Sequence, residues 1–144
     1  MRPVLLGMNN PISSDPRHAL YPHPPGCAGW NLRKYSGLTD EEYLARFDRR
    51  NILSQRKWEK REALAAADVL REELGPRRVV LLGVEVAAIM RLPVSYAPFI
   101  WRRTEAGGWW AGLPHPSGRC REWNDLLVRA CAEVFLQELA CHED

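Results

Sequence analysis

Two short apolar runs, each closed by a glycine, set the pattern of the chain: Val4-Leu5-Leu6 before Gly7, and Val79-Val80-Leu81-Leu82 before Gly83. A continuous apolar run that ends at a chain breaker suits a strand covered on both faces, so each predicts a buried strand followed by a tight turn. After Gly83, the residues Val86, Ala87, Ala88 and Met90 predict a short helix. Phe99-Ile100-Trp101 and Trp109-Trp110-Ala111-Gly112-Leu113 are two further candidate strands. Between these runs the apolar period changes from strand to helix. Trp58, Leu64, Ala67, Val69, Leu70 and Leu74 predict an amphipathic helix from about Gln55 to Leu74, stopped by Gly75-Pro76. A closing helix from Glu122 to about Cys141 carries Leu126, Leu127, Ala130, Val134, Phe135 and Leu139. Thr39 followed by Glu42 has capping-box spacing and predicts a helix through about Phe47.

Strands that alternate with helices predict an α/β fold of three layers, α/β/α, with a central, mostly parallel sheet of four strands. Ligands bind outside the carboxyl ends of the strands in such sheets. The segments after Leu6 and after Leu113 both fall there. The stretch from Asn9 to Gly37, rich in Pro, His and Gly, reads as one long loop, and loops of that length inside a domain are commonly functional.

At 144 residues, 46% hydrophobic and 26% charged, the chain predicts a single domain with a real core rather than a disordered segment. The cysteines Cys27, Cys120, Cys131 and Cys141 show no metal or iron-sulfur spacing, so neither a metal nor another cofactor is expected. No segment has the form of a signal peptide or a membrane span, which predicts a soluble intracellular protein with free thiols, read as a monomer with no membrane partner. The net charge of +2 alone says little about partners. Its distribution says more: basic residues gather at Arg46-Arg49-Arg50, Arg56-Lys57-Lys60-Arg61, Arg77-Arg78, Arg102-Arg103 and Arg119-Arg121, as candidates either for one phosphate-binding face or for ordinary solvated surface.

Three ordered segments carry a resemblance. Gly7-Met8-Asn9-Asn10-Pro11 resembles the Gly-(Ile/Met)-Asn-Pro-Gly motif of the uracil-DNA glycosylase superfamily, above all of its mismatch-specific uracil/thymine and single-strand-selective branches. His115-Pro116-Ser117-Gly118 resembles the superfamily's second motif, and Val79 to Ala88 is similar to the run between the two. The first motif departs from the pattern in that an extra Asn displaces the Pro-Gly pair. Asn9 keeps the Gly-x-Asn spacing and is preferred, while Asn10 offers a rival register.

The resemblance implies a glycosylase that hydrolyses the N-glycosidic bond of uracil or of a modified or mismatched pyrimidine flipped out of DNA. His115 would donate to O2 of the leaving base, and Asn9 would hold the attacking water; a neutral amide is no strong base, so positioning and electrostatics would carry the rate. Gly7, Met8 and Asn10 would complete the base pocket. Tyr21 and Trp30 are candidates to stack on the base, and Asn31 to read its edge. Pro116, Ser117, Gly118, Arg119 and Arg121 would grip DNA, with Arg119 as the wedge that replaces the flipped nucleotide. In strictly uracil-specific branches an asparagine amide after the central strand reads the base, whereas Leu82 is followed by Gly83-Val84. Altered specificity is implied. Asp15, the acid nearest the first motif, reads as a turn residue in Ser13-Ser14-Asp15-Pro16. His18 and His23 read as loop hydrogen-bonders, and His142 as inert. Two other readings stay open: a noncatalytic DNA-binding or inhibitory protein of the same fold, and a nucleotide or small-metabolite enzyme on a Rossmann-like sheet. The latter would want a Gly-x-x-Gly phosphate loop that the first strand does not supply.

Overall fold

The computed structural model describes residues 1–92, 97–117 and 120–141. It is an α/β fold in three layers, and its sheet has five strands rather than the expected four. These are β1 (Val4–Gly7), β2 (Asp48–Asn51), β3 (Arg78–Leu82), β4 (Arg102–Arg103) and β5 (Trp109–Leu113), in the order β2-β1-β3-β5-β4. Only the β4–β5 pair is antiparallel. The additional strand is β2, whose polar Asp-Arg-Arg-Asn sequence lacks an apolar signal because it sits at the edge of the sheet, half-buried. The strand expected at Phe99–Trp101 forms instead at Arg102–Arg103. A single parallel bridge joins Pro98 to Gly112 just before it.

Alternate side chains of the central strands feed two separate cores. Val4 and Leu6 of β1, with Val79 and Leu81 of β3, pack beneath α3 (Lys60–Leu74) and α4 (Val84–Ile89). Leu5, Val80 and Leu82 face the other way, under α1 (Ala28–Ser36), α2 (Asp40–Arg46) and α5 (Leu126–Ala140). This period-two division explains why the runs are apolar at every position. At about 25 cal/mol per Å² of apolar surface, full burial of one such side chain stabilises by about 1.5–3 kcal/mol.

The helices depart from expectation in three places. The supposed long loop contains α1, which Cys27 opens by accepting from the Trp30 N–H through its sulfur. Helix α3 begins at Lys60 rather than Gln55 and buries Ala63, Ala67, Leu70 and Leu74, leaving Leu64 and Val69 exposed. Helix α5 begins at Leu126 after a 3-10 turn at Arg121–Asn124; it buries Phe135, Leu136 and Leu139 while Leu126, Leu127 and Val134 face solvent. The capping box forms as expected, with Thr39 N–H donating to Glu42 and Glu42 N–H donating to Thr39 Oγ. Among the described residues no helix is long and apolar enough to cross a membrane.

From β1 the chain runs through α1 and α2 on one face to reach β2, then returns over the other face through α3 to β3. Connections that diverge from neighbouring strands leave a crevice at the strands' carboxyl ends.

Candidate functional site

That crevice is a cleft of about 630 Å³, lined by Gly7 to Ser13, by Leu20, Tyr21 and Cys27 from the following segment, by Asn51 at the end of β2, and by His115 beyond β5. The topology thus joins the two motif segments, 106 residues apart between Asn9 and His115, in one site. Among the described residues no carboxylate lines it. Its polar side chains include the amides of Asn9, Asn10 and Asn51, the imidazoles of His18, His23 and His115, and the Ser13 hydroxyl.

Gly7 is needed because a Cβ there would lie 2.7 Å from Asn51 Oδ1 and 3.3 Å from Leu20. The backbone beyond it is held by Ile52 and Leu53, whose N–H groups donate to the Gly7 and Met8 carbonyls at 2.9 and 3.0 Å. Met8 is half-buried against the core under α3 and α4. Asn9 donates through Nδ2 to the Arg56 carbonyl at 2.7 Å, and more weakly to that of Gln55. Its Oδ1 has no partner among the described residues. Asn10 is spent differently: Oδ1 accepts from the Ile12 N–H at 2.9 Å and Nδ2 donates to the His18 carbonyl. Between the two registers the geometry favours Asn9, because Asn10 uses both ends of its amide to shape its own loop.

His115 is half-buried, and its ring is oriented by the Ser117 N–H, which donates to Nδ1 at 3.2 Å. Nδ1 therefore carries a lone pair, and the ring proton sits on Nε2. Burial lowers the imidazole pKa below its ordinary 6.5, so the ring is neutral at pH 7 and Nε2–H remains as a donor. Three contacts fix the segment around it. Trp123 Nε1 donates to the His115 carbonyl at 2.7 Å, and its indole stacks on Tyr35 of α1 at 4.8 Å. Asn31 Nδ2 donates to the Pro116 carbonyl at 2.6 Å. Behind the ring lies Gly83, at φ +97°, where a Cβ would come within 3.2 Å of the His115 Cβ. A side chain at the position after β3 would therefore be strained by its φ and would press on His115.

The remaining expected residues divide. Tyr21 lines the cleft, its ring edge-on to His18 and tilted to His23, each at 6.0 Å, with the Arg49 guanidinium 5.9 Å away. Trp30 does not line it; Arg33 and Lys34 lie over its indole. Asn31 does not line it either, because its amide nitrogen is committed to Pro116. Pro116 is buried and Ser117 half-buried beside His115, while Arg121 is exposed in the 3-10 turn. Gly118, Arg119 and His142 lie outside the described residues. Asp15 caps the 3-10 turn Pro16–His18 and pairs with Arg17, which by hydrogen bonding holds its carboxyl down to about 2. His18 bonds the Ser13 hydroxyl at 2.8 Å and His23 bonds Asp40 at 2.6 Å, as loop residues do, yet both also face the cleft.

Sequence reasoning missed Asn51. Its half-buried side chain has no hydrogen-bond partner among the described residues, and it stands beside Gly7 at the carboxyl end of β2. The available signal was Asn51 closing a segment paired with β1, but β2 itself was not legible. Among the described residues no group of three His, Cys, Asp or Glu side chains is placed to hold a metal ion. No protein-family model matches the chain, and no curated protein matches it.

Proposed function

We propose that this chain is a monofunctional DNA glycosylase of the uracil-DNA glycosylase type, which hydrolyses the N-glycosidic bond of an extruded pyrimidine and leaves an abasic site. One observation carries the reading: a neutral His115 and an Asn9, whose Nε2–H and Oδ1 have no partner among the described residues, share a cleft in whose lining no described carboxylate stands. Such a pair can serve the hydrolysis. The bond from C1′ to the pyrimidine nitrogen breaks with its electrons leaving on the base, and charge accumulates on O2. His115 Nε2–H donates to that oxygen, as an oxyanion-hole group does. Asn9 Oδ1 accepts a hydrogen bond from a water that adds to C1′, whose surplus proton passes to solvent. Without a carboxylate the water is positioned rather than deprotonated beforehand, which implies slow turnover.

Asn51 supplies the base reading that Gly83 cannot. Its amide can accept from N3–H and donate to O4, an edge common to uracil, thymine and 5-substituted uracils. That edge does not select among them; contacts around C5 do. Tyr21 offers a ring face to the base.

The test is release of abasic sites from oligonucleotides carrying uracil, mispaired thymine or 5-hydroxymethyluracil. Excision by the wild type, with His115→Ala slower by about 10²–10³-fold, is the expected result. Tight binding without excision on all three substrates would overturn the enzyme and leave a DNA-binding protein. Wild-type rates in both His115→Ala and Asn9→Ala would refute the site.

A further inference from the structure

The segment 54–61 follows β2 and, bonded to Asn9 and Pro11 of the cleft wall, forms a lip outside the lining itself, rich in unpaired positive charge. It holds Arg56, Lys57, Lys60 and Arg61 against the single acid Glu59, a surplus of +3 in a chain whose net charge is +2. All four cations are exposed, and among the described residues none pairs with a carboxylate. Three basic residues on the β1–β2 side of the cleft are, by contrast, neutralised or occupied. Arg17 pairs with Asp15, Arg50 with Asp48 and Glu73, and Arg49 donates to the Ala19 and Arg17 carbonyls. Glu59 offsets one of the four charges and pairs with none of the cations directly, its two carboxylate oxygens capping α3 by accepting from the Arg61 and Glu62 N–H groups. Lys60 and Arg61 begin a helix at its positive end, where cations are unfavourable by about 0.3–1 kcal/mol each. Uncompensated positive charge kept in an unfavourable place marks a surface that meets an anion.

The lip is also tied to Asn9. The Arg56 carbonyl accepts from Asn9 Nδ2, and Arg56 Nε donates to the Pro11 carbonyl at 3.2 Å. Half-buried Trp58 packs the segment onto the core, and Gln55 Nε2 donates to the Lys57 carbonyl at 3.0 Å. In the sheet, β1 and β3 lie between β2 and β5, so this lip stands across the cleft from the Pro116–Ser117 segment.

We propose that the 54–61 lip binds successive phosphates of the strand that carries the target nucleotide, and that Arg56 couples this grip to the placement of Asn9. The proposal rests on the glycosylase reading and adds a second phosphate contact opposite the His115 side. Phosphates are favoured over an acidic peptide because the cations stand beside a cleft whose lining of amides, imidazoles and the Tyr21 ring suits a nucleobase rather than carboxylates.

Binding of a fluorescent uracil-containing single strand is measured by anisotropy from low to moderate salt, for the wild type, the double variant Arg56→Ala/Lys57→Ala, and Arg103→Ala at the opposite end of the sheet as control. Each phosphate contact on a single strand contributes about 0.7 to the slope of log affinity against log salt. The double variant should lose about 1.4 of that slope and Arg103→Ala none. Arg56→Lys should keep the slope but excise uracil about tenfold more slowly at saturating DNA, because lysine has no Nε–H to hold Pro11 while it meets a phosphate. An unchanged slope in the double variant, beside a wild type that binds and excises, overturns the lip and spares the glycosylase. A wild type that neither binds nor excises overturns both. Equal displacement of the oligonucleotide by polyglutamate of matched charge would assign the lip to acidic peptides instead.

Discussion

The two ends of the parallel sheet treat polar side chains in opposite ways. At the amino ends, Asp48 of β2 accepts from Arg50 at 2.9 Å and from Arg77 at 2.8 Å, and Arg77 also donates to the Arg2 carbonyl at 2.6 Å. Burial alone would raise the Asp48 pKa, but hydrogen bonds and charge from Arg50 and Arg77 more than reverse it, so the carboxyl lies below its ordinary value. At the carboxyl ends, Asn9 is engaged through its nitrogen alone and His115 through Nδ1 alone, while Asn51 has no partner among the described residues. The first arrangement joins three segments of chain and leaves little capacity for a ligand. The second holds side chains in place while keeping one face of each free. Buried Arg77 Nε also lacks a partner among the described residues, but it is enclosed, whereas the free groups of Asn9, Asn51 and His115 line a cleft that a ligand could enter.

The largest effect should come from Gly83→Ala, which acts on the free end through geometry alone. The added methyl meets the His115 Cβ at a spacing that the ring must yield to, and an L side chain at φ +97° is strained. Uracil excision measured in single turnover should fall about 10²-fold, with a stability loss of about 1–2 kcal/mol. Wild-type excision in a folded Gly83→Ala protein would show that the position of His115 does not matter. Second in size, Asp48→Ala should cost about 2 kcal/mol in urea unfolding by stranding Arg77, and leave excision by the folded protein unchanged. A loss of activity without a loss of stability would break the division between the two ends.

What the sequence disclosed follows the same division. Val4–Leu6 and Val79–Leu82 were legible because burial on both faces demands apolar residues throughout, and Thr39 with Glu42 because a capping box is local chemistry. Helix α1 was not legible. Its Ala-Gly-Trp-Asn start has weak helix propensity, and the burial of Leu32 together with the Asn31 bond to Pro116 is tertiary. Strand β2 escaped because edge residues need only ladder bonds and ion pairs, both compatible with Asp-Arg-Arg-Asn. With β2 unseen, Asn51 had no place. Asn9 and His115 could be named from the motif resemblance, but which of their atoms remain free is decided by Arg56 and Ser117, partners that no motif encodes.

Tyr43→Phe should cost less, about 1 kcal/mol, because the buried phenol donates to the Leu20 carbonyl at 2.9 Å and so ties the cleft wall to α2. Equal urea midpoints for the variant and the wild type would show that the wall is held by packing alone.

The smallest effect, and the one that separates the two ends by pH, is acid titration. His115 is lowered from 6.5 by burial, so below pH 6.5 the unfolded chain takes up the proton more readily than the folded one. Its contribution to stability is whole above 6.5 and declines as pH falls towards the folded-state value. Asp48, lowered from 3.8, has the same sign in a lower window: its contribution is whole above 3.8 and is lost as pH falls through its folded value. Acidification should therefore disturb the cleft before the amino-end ion network. Protonating Nδ1 also removes the acceptor that Ser117 N–H uses, so the His115 segment loosens in the same window. Nitrogen-15 NMR of the imidazole reads both events. It should report an Nε2–H tautomer at neutral pH and a midpoint below 6.5, whereas an Nδ1–H ring or a midpoint above 6.5 would remove the donor that the carboxyl end is built to present.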